Sequence, residues 1–222
     1  MNYDLQRADS IEHRVFLNIA MRYALCPMRL LKKEMRIISG TSKGRRLATP
    51  KSQAIRPTSD RVKESIFNIL GDEVEGKVVL DLFAGTGNLG IEALSRGARK
   101  ALFVEKGRQA LRLIQRNLSQ FGMKERSEIL PKDVSRAIGI LQQRGESFDL
   151  ILMDPPYEKG LIQKTLMKLH SHRIYHEDSI LVIEHDRREP IPEMVEGWIL
   201  TRQRRIGDTV ISFLTPRLSA ER

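Results

Sequence analysis

Val78-Val79-Leu80-Asp81-Leu82-Phe83-Ala84-Gly85-Thr86-Gly87-Asn88-Leu89-Gly90 is the stretch that decides the fold of this 222-residue chain. It opens on a short apolar run of the kind that forms a strand buried on both faces. A glycine-rich turn and a helix ending near Gly97 follow. Outward from this unit the alternation continues. Ala101 to Val104 reads as a second strand, then comes a helix with Leu111, Ile114, Leu118 and Phe121 at helical spacing and Gly122 as its cap. Glu128 to Leu130 is a third strand, and Val134, Ile138 and Leu141 mark the next helix. Phe148 to Met153 and Ser179 to Ile183 are strands four and five, around a helix bearing Ile162, Leu166 and Leu169. Such alternation predicts right-handed crossovers and an α/β, doubly wound, mostly parallel sheet. The end breaks the rhythm: Trp198–Ile206 and Thr209–Leu214 flank Gly207-Asp208, a two-residue antiparallel hairpin signal.

The glycine loop predicts an adenosine-type ligand. Glu105, at the end of the second strand and twenty residues after Gly85, can accept hydrogen bonds from both hydroxyls of a ribose. Gly85, Gly87 and Gly90 also fit the dinucleotide fingerprint, so the loop alone leaves open a dinucleotide or S-adenosylmethionine. Asp81 suits a ligand carrying ammonium and sulfonium charge better than a pyrophosphate, which it would repel. Asp133, just past the third strand, is placed to accept from an adenine amine or to cap the following helix.

Asp154-Pro155-Pro156-Tyr157 follows the fourth strand, on the ligand-facing edge beside the topological switch point. An exocyclic amine of a nucleobase is a poor nucleophile, because its lone pair is delocalised into the ring. Asp154 can accept one of its N–H groups, and a carbonyl held rigid by the prolines, that of Pro155, can accept the other. Two acceptors out of the base plane favour a tetrahedral nitrogen with its lone pair aimed at a methyl group. Tyr157 offers a stacking face worth on the order of 1–3 kcal/mol. The five histidines form no catalytic or metal-ligand pattern.

Composition narrows the class. One cysteine excludes a disulfide framework and a Cys-based zinc site, and no apolar run reaches the roughly 18 residues of a membrane span. Val15 to Leu25 is broken by Asn18 and Arg22 and lacks a cleavage pattern, so a cytoplasmic protein is expected. The net charge of +10 points to a polyanionic partner, and residues 35–64 hold eight Lys/Arg against two acids. That segment reads as short strands followed by a helix opened by Pro57, bearing Val62, Ile66, Ile69 and Leu70, and stopped by Gly71. It predicts a basic lobe that grips phosphates. Residues 11–25 read as a weak amphipathic helix.

These segments closely resemble the bacterial 16S ribosomal RNA guanine-N2 methyltransferase (RsmD) family over residues 35–215. The resemblance rests on Met35-Arg36-Ile37-Ile38-Ser39-Gly40, Gly44-Arg45-Arg46-Leu47, Arg56-Pro57-Thr58, Asp60-Arg61-Val62 and Phe67-Asn68. It also rests on Asp81 to Gly87, Glu92 to Ala98, Glu105-Lys106, Asp154 to Tyr157, Glu184-His185, Arg188-Glu189-Pro190 and Gly207-Asp208-Thr209. It implies a class I methyltransferase fold with seven strands ordered 3-2-1-4-5-7-6. It further implies S-adenosylmethionine as methyl donor, N2 of one guanine in 16S ribosomal RNA as acceptor, a small-subunit or assembly-intermediate substrate, no metal, and a monomer.

By this resemblance Asp81, Phe83, Gly85, Gly87, Glu105, Lys106 and Asp133 hold the cofactor. Asp154, Pro155, Pro156 and Tyr157 hold the base. Arg36, Lys43, Arg45, Arg46, Arg56, Thr58 and Arg61 meet RNA, with Arg56 and Thr58 near the site mouth. The expected organisation is an extension at 1–34 that reads as an upstream in-frame start, a basic lobe at 35–70, the catalytic domain at 71–216 and a tail at 217–222. Val134 stands where the family has a small residue. Two other function classes fit parts of the chain: a dinucleotide-dependent oxidoreductase, from the glycines and Glu105, and a non-catalytic RNA-binding factor, from the basic lobe. A DNA adenine methylase shares the Asp-Pro-Pro-Tyr motif.

Overall fold

The computed structural model describes residues 35–49, 60–156 and 160–217. Expectations placed on residues 1–34, Arg56, Pro57, Thr58, Tyr157 and the last five residues lie outside them. Helix α1 (Asp60–Leu70) leads through a short 3-10 turn, Gly71–Val74, into the alternating part. There β1 (Val78–Leu82), α2 (Asn88–Ser95), β2 (Lys100–Val104), α3 (Arg108–Phe121) and β3 (Ser127–Leu130) are followed by α4 (Val134–Gln143), β4 (Phe148–Met153), α5 (Leu161–His172) and β5 (Tyr175–Asp186). The chain closes with β6 (Met194–Val195), β7 (Trp198–Ile206) and β8 (Thr209–Pro216).

These strands form one sheet in the order β3-β2-β1-β4-β5-β8-β7-β6. The first five pair in parallel, and β8 returns antiparallel to β5. The expected seven strands are corrected to eight. The extra one is β6, two residues that pair with Trp198 and Ile199 on β7. Two residues carry no periodicity, so no sequence pattern marks such a strand.

Successive strand residues point to opposite faces. Val79, Phe103, Leu152, Val182, Ile211 and Phe213 therefore join one core under α1, α2 and α3, while Leu80, Leu102, Ile151, Met153, Leu181 and Leu214 join a second under α4 and α5. Each fully buried Leu, Ile or Phe contributes about 1.5–3 kcal/mol. Trp198 is sealed in the second core, with its ring centroid 4.5 Å from that of Tyr175.

The basic segment before α1 is a short hairpin rather than a pair of regular strands. One isolated bridge, Arg36 to Arg46, and the bonds Ile37 N–H to Arg45 O and Leu47 N–H to Met35 O hold it together. It is welded to the fold from below. Met35, Ile37 and Leu47 enter the first core. The Glu92 carboxylate on α2 accepts the Ile38 and Ser39 amides at 2.8 and 3.0 Å. Gly40 sits at φ +80°, so close to α2 that a Cβ would lie 1.8 Å from the Ser95 carbonyl oxygen; no other residue fits there.

Candidate active site

The carboxyl ends of β1 to β4 open into one crevice of about 890 Å3, where the strand order reverses between β1 and β4. Asp81, near the end of β1, is 2% exposed, and its Oδ2 accepts the Gly90 amide of α2 at 2.8 Å. Burial pushes its carboxyl up to about 8; the amide opposes the rise, and the charges of Asp154 and Glu105 add to it. Phe83 follows at φ +62°, a conformation uncommon for a side chain of this size, and lines the crevice.

Glu105 follows β2. The Gly85 amide donates to its Oε2 at 2.9 Å and the Gly107 amide to its Oε1 at 2.6 Å. Two backbone donors fix the carboxylate, and each oxygen keeps acceptor capacity. Asp133 takes the expected helix-capping role and stands beside the crevice. It caps α4 by accepting the Arg136 amide at 3.1 Å, and it lines the crevice. Gly85 and Lys106 line it as well. Asp154, Pro155 and Pro156 form the wall past β4, so the methyl-side and base-side residues read from the sequence share one cavity.

Gly87, expected to hold the cofactor, shapes the turn that leads from the crevice into α2. Its φ of +78° makes the turn into α2, and a Cβ there would meet Ile91 and Phe103 at 3.1 and 3.4 Å. The glycine serves the turn and the packing below it.

Sequence reasoning missed several lining residues, among them Met35, Asn88, Lys164, Lys168 and Glu184. Asn88 lay inside the glycine loop and Glu184 one residue past the fifth strand core, so their positions were in view. Glu184 is level with Asp154 because Ile183 pairs with Met153. Met35 gave no signal, since it comes from a hairpin far away in sequence.

Of the expected RNA contacts, Arg36, Lys43, Arg45, Arg46 and Arg61 are exposed. Arg36 pairs with Asp60 at 3.3 Å. Arg45 lies 4.7 Å over the Phe121 ring and donates to the Gln120 carbonyl. Lys63, counted with the same basic surplus, is fully buried instead. Its ammonium donates to the Arg36 carbonyl and to Asn88 Oδ1, and it sits 3.3 Å from Glu92. Burial lowers its pKa, and Glu92 opposes that. Among the described residues there is no metal-ligating cluster, and no helix is long and apolar enough to cross a membrane.

A mostly parallel sheet with this order, an acid at each of its first three strand ends and an Asp-Pro-Pro wall beside the switch point defines the class I methyltransferase architecture. The chain belongs to the family described as Conserved hypothetical protein 95, whose model matches residues 35–215. It is 38% identical over 183 residues to "Putative rRNA methyltransferase YlbH" of Bacillus subtilis, covering 82% of this chain and all of that one. It is 32% identical over 174 residues to "Ribosomal RNA small subunit methyltransferase D" of Escherichia coli, covering 78% of this chain and 86% of that one. The solved structure "Putative methyltransferase yhhF from Escherichia coli" superposes with a TM-score of 0.73 at 27% identity, over 84% of this chain and 99% of that one. The chain is a methyltransferase.

Proposed function

We propose that this chain transfers a methyl group from S-adenosylmethionine to the exocyclic N2 of one guanine in 16S ribosomal RNA. The observation that carries the reading is a single crevice with Asp81, Glu105 and Asp133 on one wall and Asp154-Pro155-Pro156 on the other. The residues fit the cofactor. Asp81 is a buried carboxyl with no cation facing it among the described residues, and its raised pKa marks it as uncompensated. A ligand carrying ammonium and sulfonium charge supplies the missing counter-charge. A pyrophosphate would be repelled by the buried Asp81 carboxyl, which disfavours a dinucleotide.

When bound, S-adenosylmethionine supplies an electrophilic methyl on sulfur. The chain's own residues do the rest. Glu105, locked by two amides, accepts the ribose hydroxyls. Asp133 accepts the adenine amine while capping α4. Asp154 and the Pro155 carbonyl accept the two N–H groups of the target amine and turn its lone pair toward the methyl. Tyr157 stacks on the base. Catalysis is orientation and electrostatic preorganisation. No strong base is needed, since the product ammonium is acidic after transfer and Asp154 can relay its proton to water.

The test is mass spectrometry of ribosomal RNA from cells lacking the gene. One N2-methylguanosine missing from 16S RNA, restored by the intact chain and not by Asp154→Ala, is expected. A complete set of N2-methylguanosines in the deleted strain would remove the reading. Calorimetry adds a second arm: S-adenosylhomocysteine should bind and NADH should not.

A further inference from the structure

The sheet divides at the switch point. The β1–β3 side faces the cofactor acids, which leaves the β4, β5, β8 and β7 side for the substrate. On that side the outer edge of β7 stands open. β6 pairs only with Trp198 and Ile199. From Thr201 to Arg205 no strand covers the edge among the described residues, and all five are exposed. This edge carries Arg202, Arg204 and Arg205. Arg187 and Arg188 have carboxylate partners in Asp208 and Asp186. The Arg202 and Arg204 side chains have no ion-pair partner among the described residues.

Register places these two arginines. Arg204 opposes Ile211 on β8, which opposes Glu184 of the crevice wall; Arg202 opposes Phe213. Opposed residues of an antiparallel pair share a face, so Arg202 and Arg204 stand on the side where Ile211 and Phe213 pack under α1. Two strand spacings put the Arg204 backbone roughly 10 Å from that of Glu184. Across the same face lie the basic hairpin, α1, β8 and β7 in turn. Lys63 of α1 reaches the Arg36 carbonyl, α1 packs on β8, and β8 pairs with β7. The hairpin carries exposed Arg36 and α1 carries exposed Arg61.

We propose that the open edge of β7 is a second RNA-gripping surface. Arg202 and Arg204 contact backbone phosphates at the β7 edge while Arg61 of α1 and the hairpin's Arg36, which also pairs with Asp60, contact them further along the same face. This rests on the reading of RNA as substrate. Guanidinium forks match phosphate oxygens, and such contacts position a strand without reading its bases. An added protein strand is the other natural occupant of an open edge. From Thr201 to Arg205 there is no apolar side chain for such a strand to pack on, which favours phosphate.

The experiment is fluorescence anisotropy of a labelled 16S RNA fragment across a salt series. It compares the unaltered chain, Arg202→Gln/Arg204→Gln, the charge-keeping Arg202→Lys/Arg204→Lys, and Arg99→Gln/Lys124→Gln, which removes equal charge at the opposite sheet edge. Losing two single-strand phosphate contacts flattens the log K against log salt slope by about 1.4 and weakens binding on the order of tenfold. That result is expected for the Gln pair alone, with S-adenosylhomocysteine affinity unchanged, which also reports an intact fold. Equal losses in the two Gln pairs would reduce the effect to net charge and overturn the proposal. An unchanged slope, with the Gln pair associating into dimers by sedimentation, would assign the arginines to guarding the edge and overturn it as well. If the unaltered chain binds neither the fragment nor isolated small-subunit particles, the substrate reading itself falls.

Discussion

Asp81 and Glu92 are eleven residues apart, both carboxylates, both buried, and they live in opposite electrostatic worlds. Glu92 is fully enclosed yet saturated: Lys63 and Arg96 face it at 3.3 and 2.9 Å, and the Ile38 and Ser39 amides donate to it. Asp81 has one amide and no cation among the described residues, and its carboxyl is pushed up to about 8. A buried acid whose charge is met inside the fold is structure. One whose charge is left to be met marks where a cationic ligand goes.

The comparison breaks most visibly at Glu92. Glu92→Ala strands the buried Lys63 ammonium and frees the hairpin, and should cost about 3–5 kcal/mol in urea unfolding. A loss below about 1 kcal/mol would show that the pair holds nothing. Asp154→Ala should lower methyl transfer about hundredfold to thousandfold in single-turnover assays. It should leave S-adenosylhomocysteine affinity and the melting temperature near their original values, because the proposed reading gives Asp154 to the target base; parallel loss of cofactor binding would assign it to the cofactor instead.

Asp81 sharpens the contrast through pH. Its folded carboxyl lies above the ordinary value of 3.8. The stability due to its neutral form is therefore fully present below that value and is lost as pH rises through about 8. An ammonium ligand favours the ionised form, so binding near pH 7 releases up to one proton. Affinity for S-adenosylhomocysteine should climb by as much as about tenfold per unit between pH 6 and 8, read by calorimetry in buffers of different ionisation enthalpy. Asp81→Asn should weaken binding, flatten this slope and raise stability at pH 9; a slope that survives the substitution points to another group. The smallest effect is expected at Gly87. Gly87→Ala should cost about 1–2 kcal/mol of stability for its left-handed φ while the residual folded protein binds cofactor as before. A selective affinity loss would return Gly87 to the ligand.

Much of the crevice was legible because strand ends and glycine turns are local. Asp81, Glu105 and Asp154 each end an apolar run, and strand periodicity fixes where such residues emerge. The capping role of Asp133 was legible, since an acid between a strand and a helix caps the helix wherever the tertiary structure puts it. The basic lobe was legible as charge and as a hairpin-and-helix segment, but not in which of its cations face solvent. A sequence count cannot separate Lys63, walled in by α1, α2 and the hairpin, from Arg61 two residues earlier on the exposed side of the same helix. Spacing alone does not separate the roles of Gly87, because a turn glycine and a ligand-cradling glycine have the same spacing.

The sequence by itself determined the alternation of elements, the glycine turn, the acids at the strand ends and the Asp-Pro-Pro wall, since these depend on periods of two and 3.6 residues and on backbone chemistry within a few positions. Tertiary structure alone decided which buried acid found a cation, that Met35 and Glu184 reach the crevice, and that among the described residues no strand covers β7 from Thr201 to Arg205. Those outcomes depend on which distant segments pack together, and burial sets the energy of a charge only once its neighbours are in place.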